Sequence, residues 1–228
     1  MHIEPGIVDG AKIVLSYATA AASLGLVAKL AMDTLSRDGG VAALASRSVL
    51  TTLAVFCFFQ VFPHYAVGVS EVHLILGSTI YLIFGAGPAA IGLAAGLLLQ
   101  GLFFAPFDLP QYGMNVTTLI VPLFAISVLA KRIIPENTAY VDVSYVQAFA
   151  LSTAYQGGIV AWVGFWAFYG QGFSMATVTS VSSFGAAYML VVALEPLIDL
   201  VILAGAKSLA GLKGSPVVQA RLYEAKSA

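Results

Sequence analysis

The chain has 228 residues, 60% of them hydrophobic and only 9% charged, with a formal net charge of −1 and a mean hydropathy of +0.94. Soluble domains carry about 25% charged residues, and so few charges cannot cover a water-exposed surface of this size. Lipid is therefore the main solvent; nothing points to nucleic acid as a partner, and the missing polar alternation excludes an outer-membrane barrel.

These features predict an all-α, polytopic membrane helix bundle forming a single unit over 1–228, its 22 glycines suited to close helix packing. The chain opens M-H-I-E-P-G. The amine of Met1 and the peptide nitrogen of His2 can close a five-membered chelate ring on a metal. That nitrogen and Nδ1 of the His2 imidazole can close a six-membered one. The planar peptide group holds the three nitrogens nearly in one plane, and a second imidazole would complete a square. Planar nitrogen ligation favours Ni(II) or Cu(II), with Co(II) a near neighbour, whereas Zn(II) prefers a tetrahedron. His2 is too large for removal of the initiator methionine, so Met1 should persist, and E-P-G reads as a turn that folds the terminus back. The plainer alternative is a polar residue on a frayed start.

Seven apolar segments follow, at 13–32, 48–62, 72–86, 88–105, 116–134, 144–169 and 184–206. The second and third are short against the 17–25 residues a bilayer requires, as segments lining a cavity can be. Cys57, in V-F-C-F-F, reads as a buried inert thiol. In P-H-Y-A-V-G-V-S-E-V-H-L-I-L-G, His64 and His73 flank a Gly-containing loop, with His73 expected to begin the third helix. G-A-G-P at 85–88 reads as a helix-to-helix turn. In L-E-P-L-I-D-L, Glu195 and Asp199 sit four apart around Pro196, expected to kink the helix. They are either coupling-ion carboxylates or structural partners of Lys131 or Arg132, and the structural reading is preferred.

With the N-terminus outside, Lys29, Arg37, Arg47, Lys131, Arg132, Lys207, Lys213, Arg221 and Lys226 fall on the cytoplasmic side. Only Lys12 falls opposite, as the positive-inside bias expects. The expected topology is therefore N-out and C-in, with an external N-terminal loop at 1–12 and a cytoplasmic tail at 207–228. His2, His64, His73, Asp108 and Asn115 all come to the external side.

The opening M-H-I-x-x-G, the V-H-L-x-L stretch with a histidine nine residues earlier, L-L-L-Q-G-L-F-F and G-M-N at 113–115 occur in order over roughly residues 1–130. In these the chain resembles the substrate-binding membrane subunit (the CbiM/NikM group) of nickel and cobalt energy-coupling-factor ABC transporters. The resemblance implies a ligand set made of the Met1 amine, the His2 amide and imidazole, and His73. His64 becomes a neighbour or alternative ligand, and Asn115 a brace for the terminal loop. It also implies Ni2+ or Co2+ as transported substrate, with ATP used only through partners. Those partners are a membrane coupling subunit and two cytoplasmic ATPase subunits, with or without a small accessory membrane subunit. The location implied is the cell inner (cytoplasmic) membrane, multi-pass. Three features depart from the family pattern: Pro5, Glu71 where the family carries Ser, and the loop F-D-L-P-Q-Y-G-M-N.

No phosphate-binding G-x-x-x-x-G-K-[ST], H-E-x-x-H or G-x-S-x-G motif is present, so the chain is read as a transport subunit and not an enzyme. The alternative is an ion-coupled secondary transporter that uses Glu195 and Asp199 without ATPase partners.

Overall fold

In the computed structural model, which describes residues 2–225, the chain forms seven α-helices and one small sheet. They are α1 (Val14–Arg37), α2 (Gly40–Gln60), β1 (Tyr65–Val67), β2 (Ser70–Val72), α3 (Gly77–Phe84), α4 (Ala86–Phe103), α5 (Tyr112–Ile133), α6 (Tyr145–Gln171) and α7 (Met175–Ser208). Successive helices run back and forth. The N-terminal segment reaches the α6–α7 junction, where Lys12 Nζ donates to the Gly170 carbonyl at 2.7 Å. The C-terminal segment instead packs at the far ends of α1 and α3, with Gln219 on the carbonyls of Tyr81 and Leu82. The N-terminal and C-terminal described segments therefore lie at opposite ends of the bundle.

Five helical stretches are long and apolar enough to cross a membrane: Gly10–Arg37, Gly40–Gln60, Ala86–Phe103, Pro106–Ile133 and Met175–Ser208. The protein is thus a multi-pass membrane protein. Two of the seven expected segments differ. At 1.5 Å per residue, the eight residues of α3 cover about 12 Å, less than half the hydrocarbon core. Residues 72–76, expected in its first half, instead hold the end of β2 and a non-helical link. The 27 residues of α6 suffice in length, but Gln147, Ser152, Gln156 and several glycines and tyrosines dilute its apolar character. The second segment, by contrast, is longer than its apolar run suggests and starts at Gly40.

Helix α5 is the centre of the bundle, buried along most of its length from Gly113 to Ala130. Helix α2 buries a single stripe, Ala43, Arg47, Thr51, Val55 and Phe59, whose four-residue spacing lies along one helix face. That stripe meets α4 where α4 has no side chain. A Cβ at Gly92 would lie 2.4 Å from Thr51 Oγ1, and one at Gly96 would lie 2.7 Å from Val55 Cγ1. Small residues thus bring the two backbones together, as in other membrane bundles. Helix α7 continues unbroken through Pro196. Cys57 is half-buried and unpaired.

The C-terminal segment is packed against the bundle. Its Gln219 side-chain amide donates to the Tyr81 and Leu82 carbonyls and its backbone N–H to that of Ile83, in the last turn of α3, where helix carbonyls run short of partners. Arg47 Nε donates to the Pro216 carbonyl at 2.8 Å, and its guanidinium pairs with Asp38. Lys226 lies outside the described residues.

Gly92→Ala should therefore force α2 and α4 apart and lower the melting temperature in detergent, a cost of about 1–3 kcal/mol for overpacking. Gly157→Ala, where a Cβ meets nothing within 4 Å, should leave it unchanged or raise it, because alanine favours the helix by about 1 kcal/mol.

Candidate metal centre

The stretch V-G-V-S-E-V places branched residues on both sides of Gly68, and it folds as a hairpin rather than a plain loop. β1 and β2 pair antiparallel with Tyr65 opposite Val72 and Val67 opposite Ser70. The two-residue turn uses Gly68 at φ +64, the positive φ that tight hairpin turns demand. The N-terminal segment then adds a further strand, with Ile3 bridged to Ser70. Its bonds are Glu71 N–H to the His2 carbonyl at 3.0 Å, Glu4 N–H to the Val69 carbonyl at 3.2 Å, and Ser70 Oγ to the His2 carbonyl at 2.8 Å.

This register decides which side chains meet. Side chains two apart on a strand share a face, so Glu71 and His73 point the same way. The pairing of Ile3 with Ser70 sets His2 beside Glu71 on that face. His2 Nδ1 lies 2.8 Å and His73 Nε2 lies 2.9 Å from the same oxygen, Glu71 Oε2. One donor atom from each of the three residues falls within 4.8 Å of the others, a group able to hold a metal ion. Both imidazoles are buried, His2 at 2% and His73 at 1% exposure.

The surroundings fix the rings. Phe59 meets the His2 and His73 rings edge-on, at 5.7 Å and 5.2 Å between centroids. His64 stacks on His73 at 4.8 Å with planes 12° apart, and its Nδ1 donates to the Phe62 carbonyl at 3.1 Å. All three histidines therefore share one end of the bundle, with His64 beside His73 and outside the His2–Glu71–His73 group. Asn115 Oδ1, on the first turn of α5, accepts from Ile3 N–H at 3.0 Å. Hydrogen bonds thus hold the amides of Ile3 and Glu4. Gln100, Asp108 and Asn115 line a small cavity beside His2.

Electrostatics prepare the group for a cation. Burial lowers the pKa of His2 against the opposing pull of Glu71, and burial pushes His73 down to about 3, so both rings stay neutral. Burial acts to raise the Glu71 carboxyl, but the two imidazole donors outweigh it and hold it well below the usual carboxylate range. Two neutral imidazoles and a carboxylate make a buried, singly negative ligand set.

One expectation differs in detail. His73 does not begin the third helix; it stands in extended chain four residues before α3. The turn into α3 is made by Leu76, held at φ +53, a conformation costly for a side chain with a Cβ. Met1, the expected source of the amine, lies outside the described residues.

The second group singled out lies deeper. Glu195 and Asp199 are fully buried, and their partners are not Lys131 or Arg132. Ser78 Oγ donates to Asp199 at 2.7 Å and to Glu195 at 3.3 Å, and Thr79 Oγ1 donates to Asp199. Ser152 donates to Glu195 at 3.0 Å, as does the Gln156 amide. The donors come from two helices, α3 and α6, that carry no sequence sign of this role; a carboxylate inside a bundle must find donors somewhere, but only packing shows where. Lys131 lines a separate cleft at the other end, with Tyr140 and Arg221.

A helical multi-pass bundle that presents a buried histidine–carboxylate cluster on its own N-terminal strand defines a class of membrane metal-binding component. Residues 2–210 match the family model described as cobalt uptake substrate-specific transmembrane region, CbiM. The chain belongs to that family, and its role is in cobalt transport across a membrane. Neither the curated proteins nor the solved structures compared gave a match.

Asn115→Ala removes the acceptor of the buried Ile3 N–H, an unsatisfied donor costing about 1–3 kcal/mol. Hydrogen exchange at Ile3 and Glu4 should accelerate while the amides of α5 stay protected.

Proposed function

We propose that the chain captures Co2+ or Ni2+ from outside the cell with its N-terminal strand, as the substrate-specific component of an ATP-driven energy-coupling-factor transporter. One observation carries this reading: the His2 and His73 nitrogens converge from two separate segments onto one point. The Met1 amine and His2 amide would join His2 Nδ1 and His73 Nε2 in the plane of the cargo, with His64 and Asn115 as supports.

Orientation follows from charge. Arg37, Lys131, Arg132, Lys207, Lys213 and Arg221 sit at the bundle end opposite the cluster, and Lys12 sits near it, so the cluster end faces outward in the inner (cytoplasmic) membrane. Force for translocation comes from a membrane coupling subunit and a pair of cytoplasmic ATPases. The exposed faces of α1 and α2, which bury only a narrow stripe each, are suited to lipid and to such helix docking.

Adding one residue ahead of Met1 should abolish stoichiometric metal on the purified protein, measured by elemental analysis, because the amine leaves the chelate ring. His73→Ala should weaken binding severely and His64→Ala less; equal losses would contradict the assignment of His73. The ion-coupled alternative predicts the reverse pattern, with N-terminal extension harmless and Glu195→Gln abolishing uptake. On the reading preferred here, Glu195→Gln keeps metal binding, since Glu195 is engaged by Ser78, Ser152 and Gln156 and not by the cluster residues.

A further inference from the structure

We infer that Glu71 is itself a ligand to the transported cation, placed at the apex above the plane of nitrogens, and that it biases the site toward Co(II) over Ni(II). This rests on the N-terminal site proposed above and adds a residue to which the family resemblance gives no role.

Two donors each about 2.0–2.1 Å from one metal, and at right angles to each other, lie about 2.9 Å apart. Glu71 Oε2 is hydrogen-bonded to His2 Nδ1 at 2.8 Å and to His73 Nε2 at 2.9 Å, and once a cation replaces the two imidazole protons the same spacing suits a ligand adjacent to both. In the planar set the amine, amide and Nδ1 follow one another around the metal, and the second imidazole fills the remaining corner next to Nδ1. A donor adjacent to both imidazoles without displacing any of the four stands above the plane. The strand register aims the Glu71 side chain at the two rings, with its backbone N–H tied to the His2 carbonyl at 3.0 Å.

The consequence is a change in preference. Four nitrogens in a plane suit Ni(II) and Cu(II), which need nothing further. An anionic oxygen at the apex favours ions that take five or six ligands, and Co(II) is one. The carboxylate also makes the site net negative, which lowers the cost of bringing a divalent cation out of water.

The test uses the full chain with its native N-terminus, solubilised in detergent and titrated with CoCl2 or NiCl2. Glu71→Gln, which keeps a neutral acceptor for the strand face, should weaken Co(II) by about 10-fold or more and leave Ni(II) within about threefold, so that the preference reverses. The visible absorption of the Co(II) form should change with it. Unchanged affinities and an unchanged spectrum would overturn the role of Glu71 while leaving the N-terminal site standing. Failure of the wild type to bind either ion, or tolerance of an added residue before Met1, would overturn both. Should Glu71→Gln not fold, the wild type decides alone. Anomalous diffraction from Co(II)-loaded crystals should place Glu71 Oε2 about 2.0–2.2 Å from the metal, and a separation beyond about 3 Å would refute the assignment.

Discussion

Backbone pairing between the first residues of the chain and the strand Ser70–Val72 is the constraint on which the rest depends. Without it, His2 is a polar side chain on a loose terminus, where disorder concentrates. With it, the Glu71 N–H and the Ser70 hydroxyl grip the His2 carbonyl, Asn115 grips the next amide, and the His2 imidazole is carried into a buried position beside Glu71 and His73. Three weak local bonds convert a terminus into a wall of the site. The bundle supplies the frame: α5 presents Asn115 from the most buried helix, and α2 ends in Phe59, whose ring holds both imidazoles edge-on.

The site also illustrates how a membrane protein keeps charge under control. Its cluster sits at the mouth of the bundle, where one carboxylate is balanced by two imidazole donors. Deeper in, Glu195 and Asp199 have no cationic partner among the described residues but are met by hydroxyls from α3 and α6 and by the Gln156 amide. A buried carboxylate is tolerated when its lone pairs are occupied, and here five donor contacts come from four side chains. Removing those acceptors would leave donors stranded in a low-dielectric core, which explains the pair structurally without assigning it a transport role.

Much of this was legible in the sequence, for physical reasons. Low charge and long apolar runs dictate a membrane bundle, and the basic residues sort its two ends. Planar peptide geometry singled out His2, and one end of the bundle gathered the three histidines. What escaped was the sheet. Y-A-V-G-V-S-E-V is only eight residues and reads as a loop when apolar periodicity is the guide; branched residues around a single glycine were the available sign of a hairpin. Missing the strand meant missing the alternation that turns Glu71 toward the histidines, so its carboxylate stood only as a departure from family pattern. The start of α3 was misplaced for the same reason, since apolar residues 74–76 are as hydrophobic in extended chain as in helix. The partners of Glu195 and Asp199 lie 39 to 121 residues away in sequence, and no local signal reports such contacts.

X-ray absorption at the cobalt edge of the Co(II)-loaded wild-type chain tests the central claim most directly, because imidazole rings give a characteristic multiple-scattering signature that can be counted. Two imidazoles in the inner coordination sphere, falling to one in His2→Ala and in His73→Ala alike, is the predicted result. A spectrum with no imidazole, or one unaltered by either substitution, would contradict a cargo site built on the N-terminal strand.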